Sequence, residues 1–135
     1  MNTPIIRTLA IVCLCAALTP VYLRAQGPMQ VKIPFDFTVG SKSFAAGDYT
    51  VRPQANFVAI QSVDHASAIM TLTTGLEART PLPQGKLVFH RYGDRYFLSQ
   101  VWTRDSGREL RPSAAEKELI AKARQEKPVT LVATK

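Results

Sequence analysis

The sequence predicts a mainly β protein: a small antiparallel β-sandwich or partly open barrel of six to seven strands, with one C-terminal helix over about 113–126. Three observations carry this. Residues 29–39 alternate strictly between apolar and polar. Residues 85–103, GKLVFHRYGDRYFLSQVWT, read as a hairpin and hold five of the eleven aromatic residues, including the only Trp, so the core is expected to gather around it. Ser113-Ala114-Ala115-Glu116 matches a helix start, with Pro128 beyond the expected end.

The chain opens on a targeting pattern. Arg7 supplies a positive charge, LAIVCLCAAL at 9–18 is an uncharged apolar run, Pro20 breaks it, and Ala25 offers a small residue for cleavage. Residues 1–25 are therefore expected to be a cleaved signal peptide. The run is shorter than the ~20 apolar residues of a membrane helix, so no stable span is expected after cleavage. Cys13 and Cys15 leave with it, and 26–135 is one domain without cysteine or disulfide, held by its core alone. Without Arg7 and Arg24, the 17 basic residues become 15 against 10 acidic, a net charge of +5. That balance favours anionic partners, although the charges alternate in sign and form no long run.

In 29–39, Met29, Val31, Ile33, Phe35, Phe37 and Val39 share one face, as in a strand packed on one side and wet on the other. Pro34 cannot donate to a ladder, which makes this strand an edge or breaks it there. Gly40-Ser41-Lys42 is a turn, and Phe44 returns to the core. A second turn at Ala46-Gly47-Asp48 gives Gly47 the positive φ. Tyr49 and Val51 resume a strand that ends near Pro53. Residues 57–62 and 67–73 form a hairpin through Val63-Asp64-His65-Ala66. Residues 75–84, with Pro81 and Pro83, are the longest irregular stretch.

The aromatic hairpin turns at Gly93-Asp94, where Gly in first place suits a type II′ turn. That turn pairs Arg91 with Tyr96, Phe89 with Leu98 and Leu87 with Gln100 on one face. On the other it pairs Tyr92 with Arg95, His90 with Phe97 and Val88 with Ser99. Residues 108–111 are extended. The Ser113 hydroxyl is expected to cap the Glu116 N–H, and the Glu116 carboxylate to reach back. Ala115, Leu119, Ile120 and Ala123 then dock the helix, and 129–134 (VTLVAT) form a last strand. The expected core includes Val31, Ile33, Phe35, Phe37, Tyr49, Val51, Phe89, Leu98, Trp102 and Leu119.

No catalytic constellation is legible. The two histidines, His65 and His90, have no HxH or HExxH spacing and no cysteine to join them, so no metal and no cofactor are expected. Ser99, His90 and Asp94 can be assembled into a triad on paper, but no G-x-S-x-G elbow is present. Asp36, Asp48 and Asp64 sit in turns or on wet faces rather than in a predicted cleft. The glycines are scattered singly, so no phosphate loop forms. Arg91, Tyr92, Arg95 and Tyr96 around the hairpin turn are the candidate ligand-binding residues, able to stack on a sugar ring or grip an anionic polymer. An exported chain is not expected to meet nucleic acid.

PFDFTVGSKSFAAGDYTV, KLVFHRYGDRYFLSQVW, and GREL followed by EKEL resemble a family of small exported bacterial proteins of unknown function. The resemblance spans most of residues 30–119. Its members often carry Pro where this chain has Ala45. It implies export and a β-rich domain, and it transfers no functional residue.

The readings carried forward are three. The first is a non-enzymatic structural or binding module at the cell envelope, periplasmic or extracellular, with an anionic envelope polysaccharide as partner. The second is a subunit of an envelope protein assembly. The third is a small extracytoplasmic hydrolase using His90 or His65.

Overall fold

A computed structural model describes residues 27–122 and 129–133. The expected signal segment, 1–25, and the expected end of the helix, 123–126, lie outside them. The described residues form β1 (Met29–Ile33), β2 (Phe37–Val39), β3 (Lys42–Phe44), β4 (Gly47–Pro53), β5 (Phe57–Ser62), β6 (Ala68–Glu77), β7 (Lys86–Tyr92), β8 (Arg95–Trp102), β9 (Ser106–Leu110), α1 (Ala114–Lys122) and β10 (Val129–Val132). None of them is a helix long and apolar enough to cross a membrane.

Among the described residues the chain is mainly β with one helix, but it has ten strands rather than six or seven. The expected strand 29–39 is two. Pro34 ends the β1–β4 ladder at Ile33, and the chain restarts at Phe37 as β2, beside β3 and β8. The alternation survives the break: Val31, Ile33, Phe37 and Val39 are buried, and Met29 and Phe35 are half-buried. The short return at Phe44 is a strand of its own, β3.

The sheet follows the order β1-β4-β5-β6-β9-β8-β2-β3, with β7 added to β8 and β10 to β7. Two strands do double duty. β6 pairs with β5 through Ala68–Leu72 and with β9 through Thr73–Glu77, so it carries the sheet from one half to the other. β8 has β7 along one edge, and β9 then β2 along the other. The β2 contact, at Thr38 and Phe97, is parallel. Among the described residues the sheet is open: no pairing joins the outer strands β1 and β10.

The inner face holds one cluster that includes Val31, Ile33, Phe37, Tyr49, Val51, Phe89 and Leu98, with Val58, Ile60, Leu87 and Val101 among the others. Phe35, Trp102 and Leu119 are only half-buried. Trp102 lies over Gly107, where a Cβ would meet its ring at 2.7 Å.

Four further expectations are corrected. Gly47 does not take positive φ, because it is the first β4 residue and pairs with Ile33; the positive φ, 58°, is at Gly40 in the separate β2–β3 turn. The irregular stretch begins after Glu77, because 75–77 pair with β9. The hairpin keeps its expected register from Tyr92–Arg95 to Phe89–Leu98. A bulge then shifts it, so that Val88 faces Gln100 and Leu87 faces Val101. Finally, α1 does not dock through Ala115 and Ile120. Ala115 is exposed, Ile120 is 48% exposed, and the buried side chain of α1 is Glu116.

Candidate functional site

The Gly93-Asp94 turn sets the geometry of the hairpin tip. Gly93 has φ 60°, while Asp94 is not among the positive-φ residues, as a II′ turn requires. Strand alternation then sends Arg91 and Tyr96 to the core side, and Tyr92 and Arg95 to the outer side. The four candidate ligand residues are thus divided two and two.

On the core side, Tyr96 stacks on Phe35 at 3.9 Å and 16°, and Phe35 meets Phe89 edge-on at 5.2 Å. The Arg91 guanidinium lies 5.5 Å from the Tyr96 ring, and its Nε donates to the Gly93 carbonyl at 2.8 Å. The cation–π pair that the register suggested is therefore present and braced by the turn.

On the outer side, Arg95 lies 5.1 Å from the Phe97 ring. Tyr92 is buried, and its hydroxyl donates to Glu116 Oε1 across 3.4 Å. Burial, then the Glu116 charge and hydrogen bond, push the Tyr92 phenol up from its ordinary value. His90 Nδ1 lies 3.3 Å from the same Glu116 oxygen. Tyr92 is thus occupied by α1, whereas Arg95 is exposed.

Arg95 and Tyr96 meet again at the tip. With Asp36, Thr38, Ser43 and Asp94 they line a shallow groove of about 380 Å³ between the β2–β3 hairpin and the β7–β8 turn. It offers one cation, two carboxylates, two hydroxyls and a phenol ring, a donor and acceptor set suited to a polyhydroxylated ligand.

The sequence-suggested triad does not assemble. Ser99 is buried at the bulge, and the carboxylate beside His90 is that of Glu116 rather than Asp94. The hydroxyl set against this His–Glu pair belongs to Tyr92. His65 lies apart, in the β5–β6 turn, with φ 60°. Among the described residues no group of three His, Cys, Asp or Glu side chains is placed to hold a metal ion.

Two features escaped the sequence. In the β5–β6 turn, the Ser62 hydroxyl donates to Asp64 and accepts from the Ser67 N–H at 3.0 Å, while Asp64 accepts from the Ala66 N–H at 3.0 Å. The Ser62 hydroxyl, followed by the Ala66 N–H, holds the Asp64 carboxyl below its ordinary value. These bonds brace the turn. The second feature is an apolar patch on the outer face of β4–β6. Cross-strand partners Ala59 and Met70, and Phe57 and Leu72, lie side by side there, with Met70 67% and Leu72 74% exposed. Ile69, Met70 and Leu72 are all apolar, so composition alone could not tell which faced out.

No family model, curated protein or solved structure matches this chain.

Proposed function

We propose that the chain is an exported, non-enzymatic binding module of the cell envelope, periplasmic or extracellular, whose hairpin tip engages an anionic polysaccharide. This reading includes removal of residues 1–25 and kinship with the small exported bacterial proteins that the motifs resemble. The observation that carries it is the tip itself: Arg91 over Tyr96, and Arg95 beside Tyr96 in a groove that also holds two hydroxyls and the Asp36 and Asp94 carboxylates. The two arginines draw the polymer's anions while the other groups bind its hydroxyls. Cations over aromatic rings present charge on a rigid base, which limits the entropy lost on binding. We read the two sheet halves, turned about β6, as a partly open barrel that serves as the scaffold.

The test is binding of the purified protein to a uronic-acid polymer and to a neutral glucan, at low and high salt. The expected result is binding to the uronic-acid polymer that fades as salt screens it. Replacing Arg91 and Arg95 by Gln is expected to weaken that binding roughly tenfold. Binding to neither polymer overturns the reading, and salt-resistant binding to the glucan moves it from the arginines to the aromatic rings.

A second reading, a subunit of an envelope protein assembly, is favoured by the Met70–Leu72 patch, because contiguous exposed apolar surface marks interaction sites. It expects a co-purifying protein that is lost on Leu72→Asp with the fold unchanged.

A further inference from the structure

Within Ala114–Lys122, Glu116 is the buried side chain; Leu119 is half-buried and the other residues are exposed. Isolated helices below ~12–15 residues are marginal in water, so α1 does not persist on propensity alone. Its place on the sheet rests on the contacts of Glu116, with only a half-buried Leu119 beside it.

Those contacts are polar and long. Glu116 Oε1 lies 3.3 Å from His90 Nδ1 and 3.4 Å from the Tyr92 hydroxyl, against a usual ~2.9 Å. Glu116 therefore does two jobs at the helix start. Its N–H donates to Ser113 Oγ at 3.2 Å, completing half of the capping box. Its carboxylate forgoes the other half and turns to the hairpin. A carboxylate that exchanges water for two long contacts gains little, because desolvation offsets most of the attraction. An apolar side chain there would pack on the Tyr92 ring without that cost.

We infer that α1 is a releasable strap. It crosses the outer face of the β7–β8 hairpin, and the carboxylate at its buried position keeps the attachment weak. It opens while the sheet stays folded, and opening uncovers His90 and Tyr92. Those rings lie on the face away from the core cluster, so the core does not depend on the strap.

Native-state hydrogen exchange over a range of low denaturant concentrations tests this. In the wild-type protein, the hydrogen-bonded α1 amides are expected to exchange at least roughly 100-fold faster than those of β7 and β8, with little dependence on denaturant. Glu116→Leu is expected to slow α1 exchange roughly tenfold and leave β7 and β8 unchanged. A single denaturant dependence shared by α1 and the hairpin overturns the strap, because α1 then opens only when the whole protein unfolds. A folded Glu116→Leu protein with equal or faster α1 exchange overturns the role given to the carboxylate. The wild-type comparison decides the first point even if the variant does not fold.

Discussion

Phe37 meets Phe44, Tyr49 and Phe89 with ring centroids 5.3, 5.0 and 5.7 Å apart, so one side chain ties β2 to β3, β4 and β7. Phe37→Ala removes all three contacts and leaves a cavity that strands from both halves of the sheet cannot easily close. The expected cost is ~3–5 kcal/mol, read as a fall in urea midpoint at unchanged slope. Gly107 depends on its neighbours in the opposite way. A Cβ there would stand 2.7 Å from the Trp102 ring, which is rigid and cannot fold aside as a flexible chain end would. Gly107→Ala is expected to cost ~1–3 kcal/mol, and Trp102→Leu in the same chain to recover part of it in a double-mutant cycle. Additive losses would show that the two positions do not touch. Phe37 was legible because alternation assigns faces without knowledge of partners. Gly107 was not, because its constraint comes from a ring five residues away that only the β8–β9 pairing brings over it.

Individual elements were legible in proportion to how local their causes are. The tip of the β7–β8 hairpin follows from Gly93, and its first four pairs stand as the turn dictates. The bulge beyond Leu98 has no local signal; it arises where β8 also accepts β9 and β2, and an extra residue lets the strand twist between them. The positive φ at Gly93 makes a separate prediction. A Cβ there would meet nothing within 4 Å, so the cost of Gly93→Ala is conformational alone, ~1–2 kcal/mol, and Gly93→Asn should cost less because Asn tolerates that region. Equal midpoints for the Ala variant and wild type would contradict the II′ turn. The helix failed differently. Its start was legible from Ser113, but apolar spacing selected the wrong face, because α1 turns a carboxylate inward where the pattern rule expects a hydrophobe. Sequence departs from that rule at Glu116, which is where the strap inference rests.

At the scale of the molecule, the mainly β class follows from composition and alternation, whereas the strand order does not. The sharing of β6 between β5 and β9, and of β8 among three partners, is set by contacts distant in sequence. Three titrating groups lie in altered surroundings, Tyr49 and Tyr92 through contacts distant in sequence and Asp64 through its own turn, and together they shape stability against pH. Tyr49 is raised by burial first, then by Asp64 and Asp36, and its hydroxyl donates to the Ala45 carbonyl. Tyr92 is raised by burial and Glu116. A raised phenol favours the neutral form in the folded state. Its contribution is whole below the ordinary value of 10.0 and is lost as pH rises through the higher folded value. Asp64 is lowered, so its contribution is present above the ordinary 3.8 and disappears as pH falls through the lower folded value. Urea midpoints are therefore expected to be flat in the contribution of these groups from about pH 5 to 9, and to fall beyond both ends. Tyr92→Phe separates the two phenols. It removes a long, weak Glu116 contact and also one alkaline titration, so its curve should start close to wild type at pH 8 and decline less steeply above pH 10. A parallel decline would show that Tyr92 ionises as freely in the folded chain as in the unfolded one, and that Glu116 does not face its hydroxyl.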